Sequence, residues 1–350
     1  MAQRNHGDPR NIEPAAFPHQ GGPRDRLRFA LRYAVLAPSS HNSQPWRFRL
    51  HDDHVDILAD NTRALSAVDP QRRELAMSCG ATAEHLLIAL AAFGIGTECR
   101  LLPEPERPDL VARVTVTGSV DPTTHDRDLV AAILTRHCDR TPYAPTELPD
   151  FVLDDLTEAT RTLGIDLRLV LDDEGKSAIA GLVAEATRRQ HADPAFRAEL
   201  SDWMRRAAAP GKDGLSMAGF GAPDLATPLL AAAIRRFDIG SLLAKGDRAR
   251  MDATPVLAVM LSPGDTLTDW LKTGRALARL FLTATVAGVS LALVNQPVEI
   301  PDLRAHLASL VTDGSDHPQL LLRLGYPAGA NAKPNRPSAR RSLDDVLAES

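Results

Sequence analysis

The sequence predicts an α+β protein built from two tandem copies of one unit, and three observations lead there. Period-3.6 apolar runs alternate with short period-2 runs along most of the 350 residues, the marks of helices interleaved with strands. Two long apolar helices, Arg72 to Phe93 and Leu267 to Ala287, carry little charge and must bury themselves against something, as in the core of a homodimer. Around each, "CGATAEHLLIALAAFGIGTECRLLPEPE" and "TGRALARLFLTATVAGVSLALVNQPVE" share one order: glycine, apolar helix, glycine, strand, proline. Gly80 matches Gly274 and Gly94 matches Gly288, each pair 194 residues apart. A repeat of that length implies two fused structural units, with mixed or antiparallel sheets and flanking helices around the long central pair.

The other elements follow in order. Leu27, Leu31, Ala34 and Val35 recur at helical spacing until Pro38 ends the run. Gln44 precedes Pro45, which favours an extended backbone there. Trp46, Phe48 and Leu50 alternate, "HDDH" turns, and "VDILA" returns as a hairpin. The long helix from Arg72 ends at Gly94, a C-cap glycine. "ARVTVTG" is a strand, and Asp128 to Thr135 a helix running into "RHCDRTPYAPTELP". The second copy opens with a helix from Leu153 to Leu163 and the strand "IDLRLVL"; two helices then reach about Arg206. Residues 207–250, with Gly211, Gly214, Gly219, Gly221 and Gly240 among small apolar residues, read as irregular. "TPVLAVML", "VSLALVN" and "QLLLRLGYP" are strands. The division is therefore an N-terminal arm at 1–24, a first half at 25–125, and a second half at 126–350 with an insertion at 207–250.

Composition narrows the function. A net charge of −5 argues against a nucleic-acid partner, which would require a basic face. Cys79, Cys99 and Cys138 lie far apart with no CxxC, as expected of free thiols in a reducing, cytoplasmic setting rather than disulfides or structural zinc. The N-terminal arm is polar and lacks the apolar stretch of a signal peptide; it reads as a loose or wrapping arm. The uncharged run between Arg279 and Glu299 contains Asn295, Gln296 and Pro297, so it reads as a buried helix and strand, not a membrane span. "HDDH" has metal-ligand residue types but sits in a turn, where solvated side chains are expected. Ser39 and His41 share one loop with no GxSxG elbow, which argues against hydrolysis. No GxGxxG or P-loop appears. Trp203 and Met204 read as core residues.

Two polar segments remain, "APSSHNSQPWRF" at Ala37–Phe48 and "TRHCDRTPY" at Thr135–Tyr143. Together they resemble the helix–loop–strand and opening phosphate-binding motifs of the FMN-dependent nitroreductases. The C-terminal stretches "WLKTGRALARLFLTATVAGVSLALVNQPVEIPDLR", "PQLLLRLGYP" and "ARRSLDDVL" resemble most closely the long, tandem Acg-like branch of that family. The resemblance spans Leu27 to Leu347 and is weakest over residues 190–250. It implies a nitroreductase-like fold whose two halves form an intrachain pseudo-dimer, and an FMN cofactor.

A phosphate dianion needs fixed cations, and arginine provides forked contacts. The resemblance gives Arg136, His137, Cys138 and Arg140 the phosphate and ribityl chain, with Cys138 standing where the family usually has serine. Pro38, Ser39, Ser40 and Asn42 line the isoalloxazine edge by the same comparison; Asn295 and Gln296 pass the flavin N5 side; Arg340 and Arg341 form a C-terminal phosphate clamp. Read without the resemblance, these are also a solvated helix end, a serine turn and a basic tail. In family homodimers each flavin takes its Arg-His motif from one subunit and its Pro-Ser-Ser-Asn motif from the other. Here each motif occurs once, in opposite halves, which implies a monomer with one FMN per chain. NAD(P)H would be a transient donor to the flavin, and a nitro- or quinone-type small molecule the acceptor. The alternative is a non-catalytic protein that stores, sequesters or senses FMN beneath a lid formed by residues 207–250.

Overall fold

The computed structural model describes residues 8–205, 212–216, 224–328 and 337–349. Helix α1 (Pro23–Ala34) leads into the hairpin β1 (Trp46–Leu50) and β2 (His54–Ala59), followed by α2 (Arg73–Ala92), β3 (Ile95–Leu101), β4 (Leu110–Ser119) and α3 (Thr124–Thr135). The order then begins again with α4 (Asp150–Arg161) and β5 (Asp166–Val170). Helices α5 (Asp173–Ala192), α6 (Pro194–Trp203), α7 (Thr227–Arg236) and α8 (Gly240–Asp252) come before β6 (Val256–Ser262). The chain continues through α9 (Leu267–Val286), β7 (Ser290–Leu293), α10 (Pro301–Val311) and β8 (His317–Gly325). Two four-stranded sheets result, ordered β1-β2-β4-β3 and β5-β6-β8-β7, with every pairing antiparallel. The two halves thus have one topology.

Helices α2 and α9 lie between the sheets and cross at the repeated glycines. A Cβ on Gly80 would stand 2.1 Å from the carbonyl oxygen of Leu271, and one on Gly274 would stand 1.9 Å from that of Met77. Met77 and Leu271 are themselves 194 residues apart, so the crossing is reciprocal: each helix gives a glycine to the other's backbone. Glycine is required because no side chain fits where the backbones touch. The second repeated pair is equally constrained, Gly94 and Gly288 taking φ of +78° and +71° to end their helices in the left-handed conformation. Among the described residues α2 is long and apolar enough to cross a membrane, but 89% of that window is buried inside the protein. The uncharged run after Arg279 divides, as expected, into the end of α9, strand β7 and a turn.

Several expectations need correction. Residues 227–252 are not irregular but form α7 and α8; the rest of the supposed lid lies partly outside the described residues, Gly211, Gly219 and Gly221 among them. Helix α3 starts at Thr124 because Thr123 and Asp126 form a capping box. Gln44 is not extended: its φ is +52°, held there by hydrogen bonds to Ser39, Lys212 and Arg341. Of the two forms expected for the N-terminal arm, loose or wrapping, its described part takes the second, with Ile12 and Phe17 buried and the Phe17 ring stacked on Phe93 at 4.4 Å. Trp203 is only half-buried; it joins a small satellite cluster with Leu65, Val68 and Phe196, and Arg63 and Arg205 lie over its ring.

The C-terminal segment crosses to the first sheet. Phe48 donates its N–H to the Val346 carbonyl at 2.9 Å and accepts from Ala348 at 2.7 Å, extending the β1 edge in parallel. This crossing carries Arg340 and Arg341 to the loop before β1.

Candidate functional site

The loop from Pro38 to Pro45 is under backbone strain. His41, Asn42 and Gln44 all have positive φ, 51°, 54° and 52°, at roughly 1–2 kcal/mol per non-glycine residue. Such strain persists only where surrounding contacts hold it, and here they can be named. The Gln44 N–H donates to Ser39 Oγ at 2.9 Å, its Oε1 accepts from the Arg341 N–H at 2.8 Å, and its Nε2 donates to the Lys212 carbonyl at 2.9 Å. Asn42 Nδ2 donates to the Ala339 carbonyl at 3.1 Å while its Oδ1 accepts from Arg340 Nη1 at 2.7 Å. The C-terminal segment therefore sets the loop's shape.

Arg136 follows the last turn of α3 and is almost fully buried. Its guanidinium lies 5.0 Å from the centre of the Phe281 ring, and Nη2 donates to the Leu36 carbonyl at 3.3 Å, just before the Pro38 loop. The residues after it are pinned to the second sheet: the Asp139 N–H donates to Leu291, Ser290 Oγ to Asp139 Oδ2, and Tyr143 OH to the Asp139 carbonyl. His137 caps its own turn, Nδ1 meeting the Thr135 carbonyl at 3.2 Å, and Cys138 packs at the margin of the second core. Arg140 is near enough to His41 for its charge to help depress the His41 pKa; burial is the larger cause, and the value falls to about 4.

Arg136, Arg340 and Arg10 form a set that sequence reasoning did not assemble. Burial lowers the Arg136 pKa to about 10, with the Arg10 charge adding to it. Arg340 is depressed further, again by burial first and then by Arg10 and Arg136. The Nε atoms of all three are buried without a hydrogen-bond partner. His85, fully buried beside them, donates from Nδ1 to the Tyr33 carbonyl at 3.3 Å; burial and then the Arg136 charge press its pKa to about 3, so it stays neutral. Buried cations that repel each other and keep unpaired donors leave a deficit that an anion would meet.

On the other side of the loop, Ser40 Oγ donates to Glu74 Oε2, and Asn295 Nδ2 donates to Glu74 Oε1 at 3.0 Å. A narrow cleft of about 20 Å³ is lined by Pro38, Ser39, Ser40, Glu74, Leu277 and Asn295. Gln296 stands next to it with a buried, unpartnered Oε1. Glu299 hydrogen-bonds Glu74 and accepts from Gln190; burial and then the Glu74 charge hold its carboxyl well above the usual range. Loop and second half thus meet through one carboxyl pair. Neither glutamate carries a sequence signal, since their partners lie from 34 to more than two hundred residues away. As pH rises from about 4.5 the unfolded chain ionises this carboxyl before the folded one does, so stability falls with pH. Glu299→Gln keeps an acceptor for Gln190 and is expected to raise the urea midpoint at pH 8 while leaving pH 4 almost unchanged; an equal loss at both pH values would refute the raised Glu299 carboxyl.

All the expected residues except His137, Cys138 and Gln296 are thus tied by hydrogen bonds, buried charge or cleft lining to one region between the halves. Elsewhere, His51, His54 and Asp56 place ligand-type atoms within 4.8 Å of one another, but Arg113 grips Asp56 bidentately at 2.6 and 3.0 Å. The roomier grooves on the surface, such as one of about 450 Å³ beside Arg168 and Asp316, contain none of the loop residues.

No family model matches the chain. It is 30% identical over 336 residues, 95% of its own length and 94% of the relative's, to the Mycobacterium tuberculosis (strain H37Rv) protein named "Putative NAD(P)H nitroreductase Rv3131". It is 28% identical over 332 residues, 92% and 95% of the two lengths, to a second protein of that strain whose name has the same form and ends in acg. Among solved structures, the FMN and NADPH-dependent nitroreductase NfnB of Sphigopyxis sp. strain HMH aligns at 15% identity and a TM-score of 0.40 over 63% of this chain and 98% of that one. A nitroreductase with bound FMN from Bacteroides fragilis NCTC 9343 aligns at 17% identity and a TM-score of 0.34, over 59% and 91%.

Proposed function

Because this chain belongs to the NAD(P)H nitroreductase family, we propose that it is a flavin-dependent oxidoreductase with one FMN between its two halves. The observation that carries the reading is the buried guanidinium set of Arg136 and Arg340, each with an unpartnered Nε and, among the described residues, no carboxylate bonded to it, beside the strained Pro38–Asn42 loop. When bound, FMN would supply the two-electron chemistry, with hydride arriving from NAD(P)H and leaving to a nitro- or quinone-type acceptor. The chain's own part is to bind, orient and exclude water. Arg136 and Arg340 would hold the phosphate, with Arg140 and Arg341 adding charge at its border and His137 and Cys138 beside the ribityl chain. Pro38, Ser39, Ser40 and Asn42 would meet one edge of the ring, and Asn295 and Gln296 the other. The cleft is too tight for three fused rings, so cofactor entry requires Ser40 or Asn295 to release Glu74. The strain at His41 and Asn42 favours the loop as the part that moves.

The single cofactor follows from the repeat, the two halves acting as a monomer that mimics a homodimer. At the 194-residue offset Glu74 corresponds to Thr268 and His85 to Arg279. Arg279 already has a carboxylate partner: Glu84, fully buried, accepts from both Arg275, at 2.7 Å, and Arg279. The mirror position thus gives its arginines a buried carboxylate to bond. One experiment tests both statements. The purified protein should hold close to one FMN per chain, and anaerobic NADH or NADPH should bleach it within seconds. A flavin that only dithionite reduces would sink the enzyme reading; two per chain would sink the single site.

A further inference from the structure

We propose that Arg10, on the N-terminal arm, is the third guanidinium of the anion site formed with Arg136 and Arg340, and that the arm thereby closes over a phosphate dianion. The inference rests on the reading above insofar as that phosphate is the flavin nucleotide's. Arg10 Nη2 donates to the Ser338 carbonyl at 2.7 Å, and Arg340 Nη1 donates to the same oxygen at 3.2 Å. Two guanidiniums on one carbonyl are held side by side, with no carboxylate between them. Among the described residues the one acid paired with Arg10 is Asp8, at 3.6 Å and half exposed, whose charge cannot offset three arginines. Each Nε is buried and unpartnered, and desolvation, the largest influence on all three, works against their charge.

Nothing in the fold alone requires this arrangement. The arm has an apolar anchor of its own in Ile12 and Phe17, and the Asn11 carbonyl accepts from Arg32 at 3.1 Å. An arm anchored in this way could end in any polar residue; a buried arginine beside two others destabilises the empty protein. The arrangement becomes favourable when a doubly charged oxyanion accepts from all three, since charge-assisted bonds of this kind are about twice as strong as neutral ones. Sequence reasoning missed Arg10 because its partners lie over a hundred and over three hundred residues away.

The test compares wild type with Arg10→Ala and with Arg10→Gln, which keeps an N–H for Ser338 but not the charge. Inorganic phosphate should raise the melting temperature of apo wild type and raise that of either variant much less. FMN affinity, read from quenching of flavin fluorescence, should fall at least tenfold in both variants, whereas riboflavin affinity should not change. Without ligand, the variants should melt at or above wild type. Equal stabilisation by phosphate in all three proteins, or none in wild type, would overturn the role of Arg10. Phosphate stabilisation that depends on Arg10, in a protein that binds neither flavin, would support the anion site and overturn the flavin reading instead.

Discussion

Gly274→Ala is expected to cost about 3 kcal/mol or more, an upper-end value for overpacking, and to remove both halves' stability together. The added methyl group would meet main chain at Met77, whose oxygen, carbonyl carbon and Cα lie 1.9, 2.5 and 2.6 Å from its position. No side-chain rotation relieves such a clash; α2 and α9 must separate, and with them the layers of Leu271, Ala278 and Leu282 that belong to the first core. Gly80→Ala should act in the same direction through Leu271, and the double variant should cost less than the sum because one separation relieves both contacts. Urea denaturation followed by circular dichroism is the measurement. A midpoint within experimental error of wild type would show that the two helices cross more loosely than these distances require.

Arg136→Met combined with Arg340→Ala should leave a protein that purifies colourless. Bonds to a charged partner contribute about 1.5–3 kcal/mol each, so each single variant should weaken FMN binding by roughly tenfold to a hundredfold and the pair should abolish it at micromolar concentration. Methionine at position 136 retains a flexible stem over Phe281 and does not open a cavity beneath α9. Because both arginines are desolvated, and Arg136 adds to the depression of Arg340, the apo double variant should be at least as stable as wild type. That combination, a lost cofactor with an unweakened fold, separates a binding role from a structural one. A double variant that still carries flavin refutes the assignment.

How much of this was legible depended on how far apart in sequence the signals lay. The repeat could be read because it is written in backbone needs: Gly94 and Gly288 at helix ends, Gly80 and Gly274 where no side chain fits. The Pro38–Asn42 loop and Arg136 could be read because their residue types are concentrated within a few positions. Helices α7 and α8 were missed because small residues and scattered glycines blur the helical period, and α3 was begun late although Thr123 and Asp126 do form a legible capping pair. Gln44 shows a local rule overridden, with its hydrogen bonds outweighing the preference of a residue before proline. Arg10, His85, Glu74 and Glu299 were beyond reach for a different reason. Each is an ordinary residue in an ordinary local pattern, and becomes unusual only when distant segments bury it against like charge or another carboxyl.

The reciprocal glycine contact has a consequence during synthesis. Helix α2 is apolar on nearly every face; α1, α3 and the first sheet cover part of it, and the face that carries Gly80 is covered by a helix made 194 residues later. At translation speeds of about 5–20 residues per second, that is a wait of roughly 10 to 40 s with one face of an apolar helix uncovered at the ribosome. The same interval would be short for a homodimer only if a second chain were already at hand. Carrying both halves on one chain replaces that search by a fixed delay, and makes the emerging first half a natural client for any chaperone that holds exposed apolar helices.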